Sequence, residues 1–196
     1  MTPKHLAGVL ALCAATIASN ATHAVPIALR DAVITATYNG SAASMLGLDH
    51  DFAAVAGSNT TRLDATDSGV EFLTGDYLFG IDFSPAGALT VIANGAIPTG
   101  AYSMRFDFGT SLASAIGAVT FTDARGASGI PVATLIDSHT FALDLSAVEW
   151  SEFGSITAEI SAAAPVPEPA TPALLLAGLA GLLATRARSL RHAEGG

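Results

Sequence analysis

The stretch "YSMRFDF", Tyr102 to Phe108, decides the fold, because apolar and polar residues alternate in it without a break. Successive side chains of a β-strand point to opposite faces. The four apolar residues are therefore predicted to face a core, and Ser103, Arg105 and Asp107 to face outward. A helix would spread both sets around its circumference, so the pattern predicts a half-buried strand.

The same alternation recurs on both sides of this stretch. The predicted strands lie in "DAVITATY", "GVEFLT", "YLFGIDF", "ALTVIA", "GAVTFT", "TFALDL" and "SITAEIS". In "YLFGIDF", Tyr77 is predicted to face inward together with the phenylalanines and the isoleucine. Turn signals separate the strands at "TGD", "SPAG", "NGAIPTG" and "ARGASGIP". One alanine-rich segment, "SAASMLGLDHDFAAVAG", is predicted to be helical.

About eight short strands with one apolar face each need a second apolar face to cover them. Antiparallel sheets packed face to face provide it. The sequence therefore predicts an all-β fold with a single antiparallel β-sandwich of the jelly-roll or immunoglobulin-like kind over residues 25–164. The strand order stays open, and the Cys…Trp…Cys spacing of immunoglobulin domains is absent.

The first 24 residues are typical of a secretory signal peptide. Lys4 precedes an apolar run from Leu6 to Ala18, and "THA", Thr22 to Ala24, supplies small residues for cleavage. The exported chain is predicted to begin near Val25. Because Cys13 is the only cysteine, that chain has no disulfide.

Residues 165–196 combine a proline-rich linker, a short apolar run and an arginine cluster. The run from Ala173 to Ala184 covers about 18 Å as a helix, against about 30 Å for the hydrocarbon core of a bilayer. It predicts a marginal transmembrane helix. By the positive-inside rule, the arginines that follow stay cytoplasmic and the β domain lies outside.

The order of "VPEPAT", apolar helix and arginines resembles the PEP-CTERM sorting domain of Gram-negative bacteria. The residues of the predicted sorting signal are Val166, Pro167, Glu168, Pro169, Ala170, Thr171, Arg186, Arg188 and Arg191. The resemblance implies transient residence in the inner membrane and processing by an exosortase, a membrane protease. It further implies a place at the cell surface or in the extracellular matrix, and a link to exopolysaccharide and biofilm.

The charge of the chain excludes nucleic acid as a partner. The net charge is −9, and residues 25–164 hold four arginines and fifteen acidic residues, hence −11. Binding to phosphates requires clustered lysine and arginine. An acidic exported domain is instead compatible with weak calcium binding. Asp64, Asp67 and Glu71 are candidate calcium ligands, with an acidic surface turn as the alternative.

No catalytic motif occurs in the sequence, so we expect no enzyme activity and no organic cofactor. "DSH", Asp137 to His139, holds three residue types of a catalytic triad, but adjacency opposes triad geometry. "DHD", Asp49 to Asp51, is a weak metal candidate. Trp150 lies near two glutamates and is expected to pack, with sugar stacking as the alternative. The sequence thus favours a non-catalytic surface or matrix protein over a glycan-binding or glycan-modifying module.

Overall fold

The computed structural model describes residues 25–48, 58–63, 66 and 69–164. The chain divides into two units, Met1–Ala164 and Pro165–Gly196, and all described residues belong to the first. The described residues form strands and no helix, so none of them builds a helix capable of crossing a membrane. The predicted signal peptide and sorting tail lie outside the described residues.

Eleven strands follow one another along the described chain, and several are only three residues long. They are β1 (Val33–Tyr38), β2 (Met45–Gly47), β3 (Thr60–Arg62), β4 (Phe72–Thr74), β5 (Phe79–Phe83), β6 (Ala88–Ala93), β7 (Ser103–Asp107), β8 (Ile116–Gly129), β9 (Val132–Asp137), β10 (Thr140–Asp144) and β11 (Val148–Ala162).

The strands form two antiparallel sheets. One has the order β3-β1-β7-β10-β9 and the other the order β2-β4-β5-β6-β11-β8. The predicted all-β, sandwich-like architecture is confirmed for the described residues. The strand order could not be predicted from local sequence, because strands distant in the chain pair with each other. For example, β1 pairs with β7, more than sixty residues later.

The core lies between the sheets and is built largely from aromatic rings. Phe106 of β7 has its ring centroid 5.1 Å from that of Phe83 on the opposite sheet. It also lies 6.4 Å from Phe72 and 5.4 Å from Phe141. All four side chains are fully buried. The Phe106–Phe83 pair is edge-on, a geometry that adds attraction to the burial of apolar area.

The inward positions predicted by alternation are confirmed on β7 and β10, but Tyr77 is not among them. Tyr77 is 58% exposed, because it belongs to the turn before β5, where its φ is 61°. Its N–H donates to the carbonyl of Thr74. The alternation therefore begins at Phe79, one side chain later than predicted.

The predicted helix at residues 41–57 is wrong over its described part. Met45–Gly47 is β2, which pairs with Phe72–Thr74 of β4. A Cβ on Gly47 would lie 2.8 Å from the carbonyl oxygen of Thr60. The glycine thus marks close backbone approach in a sheet. Residues 49–57 of this prediction lie outside the described residues.

The turn predicted at "ARGASGIP" is also displaced. Ala124–Gly129 continues β8 along β11, so that only Ile130 and Pro131 connect β8 to β9 in the other sheet. Gly126 has a φ of 61° and lies opposite a four-residue bulge of β11, Ser151–Gly154. The turn was predicted because glycine favours turns. In the structure, Gly126 instead accommodates a bulge, which needs the same backbone freedom.

The first described residues are hydrogen-bonded to the end of the last strand. Ala162 donates its N–H to the carbonyl of Val25 at 2.8 Å, and Ile27 donates to Ile160 at 2.9 Å. On the other side of β11, Ala163 donates to Ala115 at 2.8 Å. We call this arrangement the terminal ladder. It brings the two ends of the described domain side by side.

Candidate functional site

A polar groove lies on the outer face of the five-stranded sheet. We define the outer groove by Thr35 and Thr37 of β1, Ser103, Arg105 and Asp107 of β7, and Ala142 of β10; its volume is about 360 Å³. Cross-strand pairing places Thr35 opposite Asp107, and Arg105 between Thr37 and Ala142. These side chains face outward because their neighbours on each strand fill the core.

Arg105 gives the outer groove its only cation. The ion pairs between described residues join Arg62 to Asp31 and Arg125 to Asp123, so Arg105 is left without an ionic partner there. The pKa of Asp137 is lowered chiefly by the hydrogen bond from the N–H of His139, then by Thr140, with a smaller contribution from Arg105.

Asp144 lies near the other end of the groove, opposite Ser103. Its pKa is lowered because it accepts hydrogen bonds from the hydroxyl and the N–H of Ser146. The groove and its ends thus offer hydroxyl groups, one guanidinium and carboxylates, which suits a hydroxyl-rich, uncharged ligand better than an anion.

Sequence reasoning found half of this groove. The alternation in Tyr102–Phe108 correctly placed Ser103, Arg105 and Asp107 on the outer face. It could not show that β1 supplies the threonines, since that depends on the pairing of strands distant in the chain. The threonines of "ITATY" were the available signal.

Of the three candidate calcium ligands, only Glu71 lies within the described residues. It is 6% exposed, and its Oε2 accepts a hydrogen bond of 2.6 Å from the N–H of Phe83. Asp64 and Asp67 lie outside the described residues. Within residues 25–48, 58–63, 66 and 69–164, no three histidine, cysteine, aspartate or glutamate residues cluster closely enough to hold a metal ion.

We expect Glu71→Ala to lower the free energy of unfolding by about 1–3 kcal/mol, since the buried N–H of Phe83 loses its acceptor. Glu71→Gln keeps an acceptor oxygen and should recover most of that loss. Urea unfolding with and without Ca²⁺ measures both effects. A large Ca²⁺-dependent stabilisation of the wild type, absent from Glu71→Gln, would instead assign Glu71 to a metal site.

The "DSH" residues form the turn between β9 and β10. Asp137 Oδ1 accepts from the backbone N–H of His139 at 2.8 Å, and the hydroxyl of Ser138 lies 3.1 Å from Nδ1 of the imidazole. The aspartate therefore caps the turn and does not orient the imidazole, as a triad aspartate would. The "DHD" candidates, residues 49–51, lie outside the described residues.

Trp150 packs against the core, as predicted. Its ring centroid lies 5.2 Å from that of Phe79 in an edge-on arrangement. The indole Nε1 is buried, and no hydrogen-bond acceptor reaches it among the described residues. The side chain is half-buried, and besides this packing it lines a pocket of about 390 Å³ together with Glu149 and Ser151.

Comparison with known proteins places one segment of the chain. Residues 165–191 match the family model of the PEP-CTERM protein-sorting motif. The chain matches no curated protein and no solved structure. The motif implies export, exosortase-dependent sorting and a destination in the cell envelope or at the surface. The resemblance drawn from "VPEPAT" and the residues after it is therefore confirmed, and the chain carries a PEP-CTERM sorting motif.

Proposed function

We propose that this chain is a non-catalytic surface or extracellular-matrix protein of a Gram-negative bacterium, associated with exopolysaccharide or biofilm. The observation that carries the proposal is the sorting motif at residues 165–191, which directly follows the β domain. A signal peptide over residues 1–24 starts export, and the apolar run with its arginines holds the chain in the inner membrane until the exosortase acts.

The β domain supports a structural role through its packing. Its aromatic side chains are concentrated between the sheets, and Trp150 is packed against Phe79. The acidic charge of the domain keeps copies soluble and apart outside the cell.

A second candidate, a glycan-binding or glycan-modifying module, is favoured by the outer groove. Hydroxyl groups of Thr35, Thr37 and Ser103 beside Arg105 and Asp107 can donate to and accept from sugar hydroxyls. The groove lacks an aromatic platform, so binding of a single sugar unit would be weak. A repeating polymer would compensate through many contacts at once.

Affinity electrophoresis separates the two candidates. Gels containing the exopolysaccharide of the host would carry the wild type, Arg105→Ala, and Arg125→Ala as a control with the same change of charge outside the groove. If the role is structural, we expect each of the three proteins to migrate equally far in the gel with polymer and in the gel without it. Retardation of the wild type and of Arg125→Ala, but not of Arg105→Ala, would assign the groove to glycan binding. Shortening of the polymer on incubation would indicate glycan modification.

A further inference from the structure

The bulge of β11, Ser151–Gly154, exposes an aromatic ring on a strained backbone. Phe153 lies in this bulge, and its side chain is 67% exposed. Its φ is 56°, a conformation that bulky residues rarely adopt and that glycine adopts freely. Gly126 has a similar φ on the facing strand. An aromatic ring thus stands in solvent at a position whose backbone conformation favours glycine.

Local structure does not explain the ring of Phe153. At Tyr77, the other aromatic residue with a positive φ among the described residues, a turn accounts for the conformation. The N–H of Tyr77 donates to Thr74, and its carbonyl accepts from the amide of Asn94. The bulge accounts for the backbone of Phe153, but a glycine would form it without strain. Strained residues and bulges are frequent at ligand sites, so this bulge is a candidate site.

A pocket of about 390 Å³ borders the bulge. A Cβ on Gly154 would overlap the carbonyl oxygen of Gly126, so the bulge is packed tightly against the strand that forms one wall. Cross-strand pairing sets Glu149 opposite Ser128. The pocket thus offers hydroxyl groups and a carboxylate beside the exposed ring. We call the pocket and the ring of Phe153 the bulge site. The residues that line the pocket are Gly126, Ala127, Ser128, Glu149, Trp150 and Ser151.

The chemistry of the bulge site favours a neutral polysaccharide. An aromatic face can pack on the C–H groups of a sugar ring, while carboxylate and serine oxygens hydrogen-bond to sugar hydroxyls. Among the described residues, no lysine or arginine lines this pocket. Glu149 and the exposed Glu152 of the bulge would repel an anionic polymer. The same charges oppose an anionic lipid surface.

We propose that the bulge site binds a neutral polysaccharide, with Phe153 packed on a sugar ring and Glu149 and Ser151 accepting hydrogen bonds from its hydroxyls. The inference rests on the glycan-binding candidate of the proposed function. It gives that candidate a site on the six-stranded sheet, separate from the outer groove on the five-stranded sheet.

Affinity electrophoresis with substitutions of Phe153 tests the site. The probe is the exopolysaccharide of the host, divided by anion exchange into a neutral and an acidic fraction, and the protein is the full chain in a mild detergent. Phe153→Gly removes the ring and the strain together, and Phe153→Tyr keeps the ring. Tyr77→Gly is the matched control, because it removes an equally exposed ring with the same backbone conformation elsewhere.

We expect the neutral fraction to retard the wild type, Phe153→Tyr, Tyr77→Gly and Arg105→Ala alike. Phe153→Gly should require about tenfold more polymer for the same retardation. Its urea midpoint should equal or exceed that of the wild type, since glycine relieves the strain.

Equal retardation of Phe153→Gly and the wild type, stronger retardation by the acidic fraction, or a lowered urea midpoint of Phe153→Gly would each overturn the proposal. Loss of retardation in Arg105→Ala alone would overturn it in favour of the outer groove. Equal migration of all proteins with and without polymer would overturn it and leave the structural role. Absence of the chain from the surface and matrix of the fractionated host would instead count against the proposed function, whatever the gels show.

Discussion

Phe106→Asp should abolish cooperative folding of the β domain. The side chain of Phe106 is fully buried between rings of both sheets, and a carboxylate there would have no partner. The loss of ring packing and the burial of a charge together cost more than about 5 kcal/mol. The total free energy of unfolding of a small domain is about 5–15 kcal/mol, so a loss of this size can remove all of it. Urea unfolding of the fragment Val25–Ala164, followed by circular dichroism, measures the effect.

Thr37→Asp is the matched control for this substitution. Thr37 lies on the outer face of the same sheet, opposite Arg105, so the new carboxylate remains in contact with water. We expect a change of less than about 1 kcal/mol. A Phe106→Asp variant that unfolds as cooperatively as the wild type, at a similar urea concentration, would show that Phe106 does not hold the two sheets together.

Replacing Pro167, Glu168 and Pro169 together by alanine should stop removal of the tail. These residues lie at the start of the matched sorting motif, and the apolar run that follows is marginal in length for permanent anchoring. In a host that has the exosortase, we expect the wild type to lose its tail and to leave the inner membrane. The triple variant should keep both its mass and its place there. Intact-mass analysis and membrane fractionation provide the two measurements.

Pro172→Ala controls for a general effect of removing proline from this region. It lies just after "VPEPAT" and leaves that motif intact, so its processing should match the wild type. A strain without the exosortase should retain the wild-type chain as well. If the wild type and the triple variant had the same mass and the same location, the tail would be an ordinary short anchor.

Local sequence predicted the strands whose side chains alternate cleanly and failed where backbone contacts decide. The prediction for Ala88–Ala93 coincides with β6, and that for Tyr102–Phe108 differs from β7 by one residue at each end. In contrast, β9 was missed, because Val132–Asp137 is exposed at nearly every position and carries no inward-facing pattern. Periodicity reports burial on one face, so a strand with two exposed faces leaves no such signal.

The candidate sites divide in the same way. The outward positions of β7 could be predicted, since they depend on alternation within one strand. The role of Glu71 could not, because its carboxylate meets the N–H of Phe83 on a neighbouring strand. Glu71 was predicted as a calcium ligand because of its carboxylate oxygens, but in the structure it accepts a hydrogen bond from the backbone. Only knowledge of strand pairing distinguishes the two roles.

The terminal ladder has a mechanical consequence. The last strand, β11, is fifteen residues long, and from Ser155 onward it is bonded to β8 on one side and to β6, then Val25 and Ile27, on the other. A pull applied at Ala164 along the axis of β11 would load the hydrogen bonds on both sides of this strand. Ladder hydrogen bonds lie across that axis. They would therefore bear tension together in shear, and would not open one after another as in a zipper.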